Sequence, residues 1–247
     1  MTQPLPAHLL AEAHRGGARV RWRDVLPEDR AGAYAIQDAT LARLGPFGGW
    51  KVGSKGPQAE PGCAPLPASG LLASGVTLVG DAWRMRGVEV EVALRLGRDL
   101  DASDALLSPA ELAAAVDAVL PVIEVVETRL ADWAGSDALA QLADLQSHGA
   151  LVMGATSTFS PAQLDLRTVQ AHLSFNGQVA AHTTGGNPAA DLWRMFAWLA
   201  RHCAQRGQPL RAGQMVTTGS CTGMLFAPQG AFVVAELHGI GRVELQL

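Results

Sequence analysis

The chain has 247 residues, 48% of them hydrophobic and 17% charged, with a formal net charge of −4. This length suits one large domain, or one domain with a small appendage, and the composition excludes an intrinsically disordered chain. There is no apolar run near the roughly 18 residues that span a bilayer, no leader pattern at Met1-Thr2-Gln3-Pro4, and no broad basic face for nucleic acid.

The first 45 residues read as helical. Leu9, Leu10 and Ala13 share a face of a short helix, and a second helix starts at Pro27-Glu28-Asp29, carries Ala33, Ile36, Leu41 and Leu44, and stops at Gly45-Pro46. Gly48 to Gly80 is rich in Gly, Pro and Ser and reads as a long loop with short strands. Gly87 to Leu96 alternates Val88, Val90, Val92, Leu94 and Leu96 with Glu89, Glu91, Ala93 and Arg95, the pattern of a strand. Ser108-Pro109-Ala110-Glu111 is a capping-box pattern for a helix expected to run to about Val119. Val122 to Val126 reads as a buried strand containing Glu124, and Asn176-Gly177 marks a hairpin. A helix opened by Asn187-Pro188 carries Leu192, Met195, Phe196 and Leu199, and strands are expected at 214–218 and 231–247. The fold class is therefore α+β, with a helical region over residues 1–48 and a larger, mainly β catalytic domain over 49–247.

Glu89 and Glu91, two apart on a strand, project from one face roughly 6.6 Å apart. They are either a solvated face or a pair with a cation between them. Glu124 lies among apolar neighbours, where a carboxylate needs a partner, either a metal or an arginine. The three together would make an oxygen-only site for a hard cation such as Mg²⁺ or Mn²⁺. Glu127, beside Arg129, is a rival ligand. The 19 basic residues include only two lysines, Lys51 and Lys55. This makes Lys51 a candidate for a role that arginine does not fill, namely proton transfer by an amine whose pKa moves on desolvation; the alternative is a plain surface lysine. Cys63, Cys203 and Cys221 are odd in number and widely spaced, which suits reduced thiols of a cytoplasmic protein. Trp193 and Trp198 read as helix packing or as a subunit interface, and the low charged fraction suggests a homo-oligomer.

Gly49-Trp50-Lys51-Val52-Gly53, Gly87-Val88-Glu89-Val90-Glu91-Val92-Ala93-Leu94, Leu96-Gly97-Arg98-Asp99-Leu100 and Leu120-Pro121-Val122-Ile123-Glu124-Val125-Val126-Glu127-Thr128-Arg129, with Asp132-Trp133 after it, resemble the 2-keto-4-pentenoate hydratases. These belong to the fumarylacetoacetate hydrolase superfamily, with the 4-oxalocrotonate decarboxylases as siblings. The resemblance runs from Ala33-Tyr34-Ala35-Ile36-Gln37 to Thr218-Gly219-Ser220 and the final strands. It implies a small helical N-terminal region before a β-roll, and a divalent metal, Mg²⁺ or Mn²⁺, held by Glu89, Glu91 and Glu124. It also implies that Lys51, Thr218, Gly219 and Ser220 bind the substrate, and that Lys51 and the three glutamates are catalytic. The implied reaction adds water to a short 2-hydroxydienoate through a metal-stabilised enolate, in aromatic-compound catabolism. Siblings of the family instead decarboxylate a 2-oxo acid or cleave an acylpyruvate-type C–C bond. A non-catalytic paralogue that assembles with a decarboxylase is the alternative of a different class.

Two departures stand out. Many relatives carry Asp-Asn-Ala-Ser where this chain has Asp144-Leu145-Gln146-Ser147-His148, and some place an aspartate where Pro65-Leu66-Pro67 stands here, leaving Glu60 as the nearest upstream acid. His148 is read as a satisfied surface histidine, with a substitute acid/base as the alternative.

Overall fold

The computed structural model describes residues 5–101 and 103–247. Met1-Thr2-Gln3-Pro4, on which the expectation about a leader rests, lie outside the described residues. The strands are β1 (Phe47–Gly53), β2 (Gly62–Pro67), β3 (Leu71–Ala73), β4 (Val76–Thr77), β5 (Gly87–Leu96), β6 (Val116–Val126), β7 (His148–Met153), β8 (Gln170–Phe175), β9 (Gln178–Thr184), β10 (Met215–Ser220), β11 (Leu225–Phe226), β12 (Phe232–Leu237) and β13 (Gly241–Gln246). The helices are α1 (Leu5–His14), α2 (Arg30–Leu44), α3 (Pro109–Ala113), α4 (Ala138–Ala143) and α5 (Leu192–Gln205).

Two mixed sheets carry the strands. One has the order β2-β1-β10-β5-β6-β7-β3, with β11 also pairing β5, and the other the order β4-β13-β12-β8-β9. β12 and β13 lie against β6, so the apolar face of β5 and β6 fills the space between the sheets. Val88, Val90 and Val92 are fully buried there. On the opposite face Leu66, Ala93, Leu120, Val122, Leu151 and Met215 form a smaller core. Because strand residues alternate between faces, Glu89, Glu91 and Glu124 continue that second face toward one end of the sheet. No helix among the described residues is long and apolar enough to cross a membrane.

Local signals explain several elements. Asp29 caps α2 by accepting from the Gly32 amide, and Ser108 and Glu111 form the reciprocal capping box of α3. Asn176 and Gly177 both have positive φ, 51° and 78°, at the β8–β9 turn.

One expectation is corrected. The helix expected to reach Val119 ends at Ala113, and β6 starts at Val116. Val116 and Val119 recur at helical spacing, but they pair with Leu96 and Leu94 of β5, and this long-range pairing decides the matter. The stretch expected to be a long loop with short strands carries β1 to β4, and β1 is an interior strand of the larger sheet. A Cβ on Gly49 would sit 2.0 Å from the Met215 carbonyl oxygen, so this glycine permits close strand approach and does not break structure. In keeping with the helix-packing reading, Trp193 meets Phe196 edge-on and Trp198 stacks on His202 at 4.5 Å. Both tryptophans pack on the core, and the large apolar side chains most exposed are Leu106, Val79, Leu5, Val179 and Phe226.

Candidate active site

The register of β5 and β6 sets Glu89 directly opposite Glu124, and Glu91 follows two residues along the same face. One carboxylate oxygen from each of the three lies within 4.8 Å of the others. Glu124 is fully buried and Glu91 is 2% exposed. Like charges across a strand pair repel, and the burial of Glu91 and Glu124 weakens screening by water. Burial, followed by the charge of Glu124, pushes Glu89 up to about 7. Burial and the charges of Glu124 and Glu89 push Glu91 up to about 8.

Lys51 enters from β1, which pairs with β10 so that Lys51 stands beside Thr217. Its Nζ donates to Glu124 Oε1 at 2.5 Å and to the Gln146 carbonyl at 3.2 Å. Burial pulls the Lys51 pKa down, but Glu124, Glu89 and Glu91 outweigh it and hold the amine above its ordinary value. With the three carboxylates around it, the Lys51 amine is favoured in its charged form. Burial opposes the charge on Glu124 as well, yet Lys51 and His148 together bring its pKa below the usual carboxylate range.

The reading of His148 as a surface residue is corrected. The residue is 1% exposed, not on the surface, and its Nδ1 lies 3.0 Å from Glu124 Oε1. The partners of Glu124 are thus a lysine and a histidine, and neither is the arginine considered above. Glu127 is no rival ligand: its carboxylate is taken by Arg19 at 2.6 Å and by the Met85 amide at 2.7 Å.

The Thr218-Gly219-Ser220 segment differs from expectation in its donors. The Thr218 hydroxyl donates to the Val92 carbonyl at 2.9 Å, and Thr218 is fully buried behind the cavity wall. Gly219, at φ 88°, donates its amide to Glu91 Oε2 at 2.8 Å, and the same oxygen accepts from the Thr217 hydroxyl. Ser220 donates to the Gly223 carbonyl. The loop therefore orients Glu91, while Gly219 and Ser220 also line the cavity.

Sequence reasoning missed two contributors. Asn187, read only as a helix start, donates to the Thr218 and Gly219 carbonyls at 2.9 and 2.8 Å and fixes that loop. Gln146 lines the cavity and supplies the carbonyl under Lys51. Its signal was the departure from Asp-Asn-Ala-Ser, which carries no geometric information. Asp144 is also structural, accepting from the Thr128 hydroxyl, the Arg129 amide and Arg129 Nε.

A cavity of about 760 Å³ opens over the carboxylates, with Lys51, Arg30 and Lys55 also on its wall. The residues fit a divalent cation. Glu124 Oε2 is buried and has no hydrogen-bond partner, a costly state that a cation relieves. Three carboxylates against one ammonium leave a negative surplus that a dication neutralises, and an all-oxygen donor set suits a hard ion.

The fumarylacetoacetate (FAA) hydrolase C-terminal family matches residues 51–247. The chain is 34% identical over 159 residues to the 2-keto-4-pentenoate hydratase of Paraburkholderia xenovorans, an alignment covering 64% of this chain but only 58% of that protein. It is 31% identical over 255 residues to the TodF product hydratase of Pseudomonas putida, covering 96% of this chain and 92% of that protein. Among solved structures, the 4-oxalocrotonate decarboxylase of Pseudomonas putida G7 in complex with magnesium and adipate superposes with a TM-score of 0.84 at 22% identity, over 99% of this chain and 98% of that one. The architecture, a helical start followed by curled mixed sheets, is accordingly that of this fold. The chain belongs to the fumarylacetoacetate hydrolase C-terminal family.

Proposed function

We propose that the chain is a divalent-metal-dependent hydratase that adds water to a short 2-hydroxydienoate such as 2-hydroxypenta-2,4-dienoate, in aromatic-compound catabolism. The observation that carries this reading is the convergence of Glu89, Glu91 and Glu124 at one point of the cavity wall, with Lys51 on Glu124. The hydratase names of the relatives support it. Glu89, Glu91 and Glu124 would hold the cation, Mg²⁺ or Mn²⁺. When bound, it supplies Lewis acidity toward the 2-oxo acid head of the substrate. Lys51 keeps Glu124 ionised and presents positive charge to the substrate carboxylate. Gly219 and Ser220 shape the adjoining wall, and Thr218 supports them from behind. The apolar Val126, Leu139 and Leu142 on the cavity wall suit the hydrocarbon end of a dienoate.

One observation favours a second reading. Arg30 and Lys55 place two further cations on the cavity wall, which would suit the second carboxylate of a dicarboxylic 2-oxo acid and hence decarboxylation. The deciding assay offers Mg²⁺-loaded protein both 2-hydroxypenta-2,4-dienoate and 4-oxalocrotonate, following loss of dienol absorbance and release of CO₂. Dienol consumption with formation of a 4-hydroxy-2-oxo acid, and no CO₂ from either compound, is the expected result. CO₂ release would establish the decarboxylase. Metal binding with turnover of neither would mark a non-catalytic assembly partner.

The proposal includes a cytoplasmic location, supported by Cys63, Cys203 and Cys221 being free thiols, and a homo-oligomer of at least two copies, supported by the exposed Val79, Val179 and Phe226. A monomer by light scattering at micromolar concentration would overturn the oligomer.

A further inference from the structure

We propose that His148 is a positioning residue for the carboxylate cluster: its Nδ1–H holds Glu124 Oε1, so that Oε2 is the oxygen presented to a divalent cation. This rests on the metal reading above and goes beyond it, because nothing in that reading requires a histidine.

The two oxygens of Glu124 have different surroundings. Oε1 accepts from Lys51 Nζ at 2.5 Å and lies 3.0 Å from His148 Nδ1. Oε2 is buried and has no partner. One donor alone would let the carboxylate pivot about that contact. Two donors arriving from different strands, β1 and β7, fix its plane.

The histidine is equipped for this and for little else. Its ring is 1% exposed, and Nε2 is buried without a hydrogen-bond partner. A proton taken up at Nδ1 has no acceptor at Nε2 to which it could be passed, so the geometry is that of an orienting group and not of a shuttle. Burial also lowers the pKa of the ring and favours the neutral form. With a carboxylate oxygen facing Nδ1, the neutral ring carries its hydrogen there; the other tautomer would set two lone pairs against each other.

The backbone delivers this contact at a cost. Leu145, Gln146 and Ser147 all have positive φ, 48°, 50° and 57°, which non-glycine residues adopt only when their surroundings enforce it. Here Arg129 donates to the His148 carbonyl at 2.6 Å, and Trp133 Nε1 donates to Ser147 Oγ at 3.0 Å. The turn places the Gln146 carbonyl on Lys51 and the His148 ring on Glu124. Both members of the Lys51–Glu124 pair are thus held by one segment.

The test is Mn²⁺ binding to metal-stripped protein, read from the electron paramagnetic resonance signal of free Mn²⁺, with thermal unfolding as the check on folding. His148→Phe keeps a ring without a donor. His148→Asn puts an amide nitrogen in the place of Nδ1, whereas His148→Gln puts it where Nε2 stands. His148→Phe and His148→Gln are expected to weaken binding roughly 10–100-fold, the usual effect of losing a hydrogen bond to a metal ligand, and His148→Asn to stay within about threefold of the unaltered protein. Should His148→Phe fail to fold, the comparison of Asn with Gln decides. Equal affinity in Asn and Gln variants would overturn the positioning role while leaving the metal site standing. No Mn²⁺ binding by the unaltered protein would overturn the metal reading and this inference with it.

Discussion

Lys51 Nζ stands 2.5 Å from Glu124 Oε1, although 73 positions separate the two residues along the chain. Between their strands, β1 and β6, run β10 and β5, so the two side chains meet by reaching over both. The Glu124 carboxylate is fully buried and the Lys51 side chain 13% exposed. Such a pair stabilises little as a unit, but either half left alone is expensive.

Lys51→Met is therefore expected to destabilise the metal-free protein by about 3–5 kcal/mol, because it leaves Glu124 buried without its cation. Lys51→Arg should recover only part of this, since a planar fork does not set one point charge on both Glu124 Oε1 and the Gln146 carbonyl. Urea unfolding at pH 8 measures both; a midpoint unchanged in Lys51→Met would mean that Glu124 does not need the Lys51 charge to stay buried.

Asp144→Ala removes a different buried anion. Arg129 Nε donates to Asp144 at 2.6 Å, with the two side chains 7% and 0% exposed. The expected loss is again about 3–5 kcal/mol, or a fall of roughly 10 °C in Tm for a chain of this size. Because Arg129 also holds the His148 carbonyl, Mg²⁺ affinity should fall together with Tm. Calorimetric scans showing a shift under 2 °C would mean that Arg129 finds another partner.

The sequence showed the carboxylates but not their anchors. Glu89, Glu91 and Glu124 were legible because alternation assigns strand faces and because an acid in an apolar run needs a partner. Their convergence depended on one further fact, the pairing of Glu89 with Glu124 across β5 and β6. His148 was not legible as a buried residue. Its burial follows from the turn at Leu145–Ser147, where non-glycine residues hold positive φ, and local propensity argues against that conformation. β1 was legible only as one of the short strands expected in a glycine-rich stretch. Its glycines resemble loop punctuation, yet Gly49 is needed because Met215 backbone lies against it.

Gly49→Ala tests that last point. A Cβ there would meet the Met215 carbonyl oxygen at 2.0 Å, and backbone does not yield as a flexible side chain does. β1 would have to leave β10, displacing Lys51 from Glu124. A cost of about 3 kcal/mol or more is expected from such overpacking. Gly53→Ala on the same strand, where a Cβ meets nothing within 4 Å, should be tolerated. Equal stability of the two variants by urea unfolding would dismiss the close-approach argument.

The pH dependence of metal binding follows from the same carboxylates. Burial and neighbouring charge raise Glu89 to about 7 and Glu91 to about 8. Without a metal, both hold protons through much of the neutral range. A cation binds the ionised form, so below pH 7 it must displace a proton from each, and above pH 8 from neither. Mg²⁺ affinity should therefore rise with pH, by up to ~100-fold per unit where two protons leave, and level off by roughly pH 9. Titration calorimetry in two buffers of different ionisation enthalpy counts the protons directly. About two per Mg²⁺ are expected at pH 6 and almost none at pH 9, with Glu91→Gln releasing one fewer at the lower pH. Proton release that stays near zero across this range, with affinity unchanged, would mean that Glu89 and Glu91 do not hold the cation.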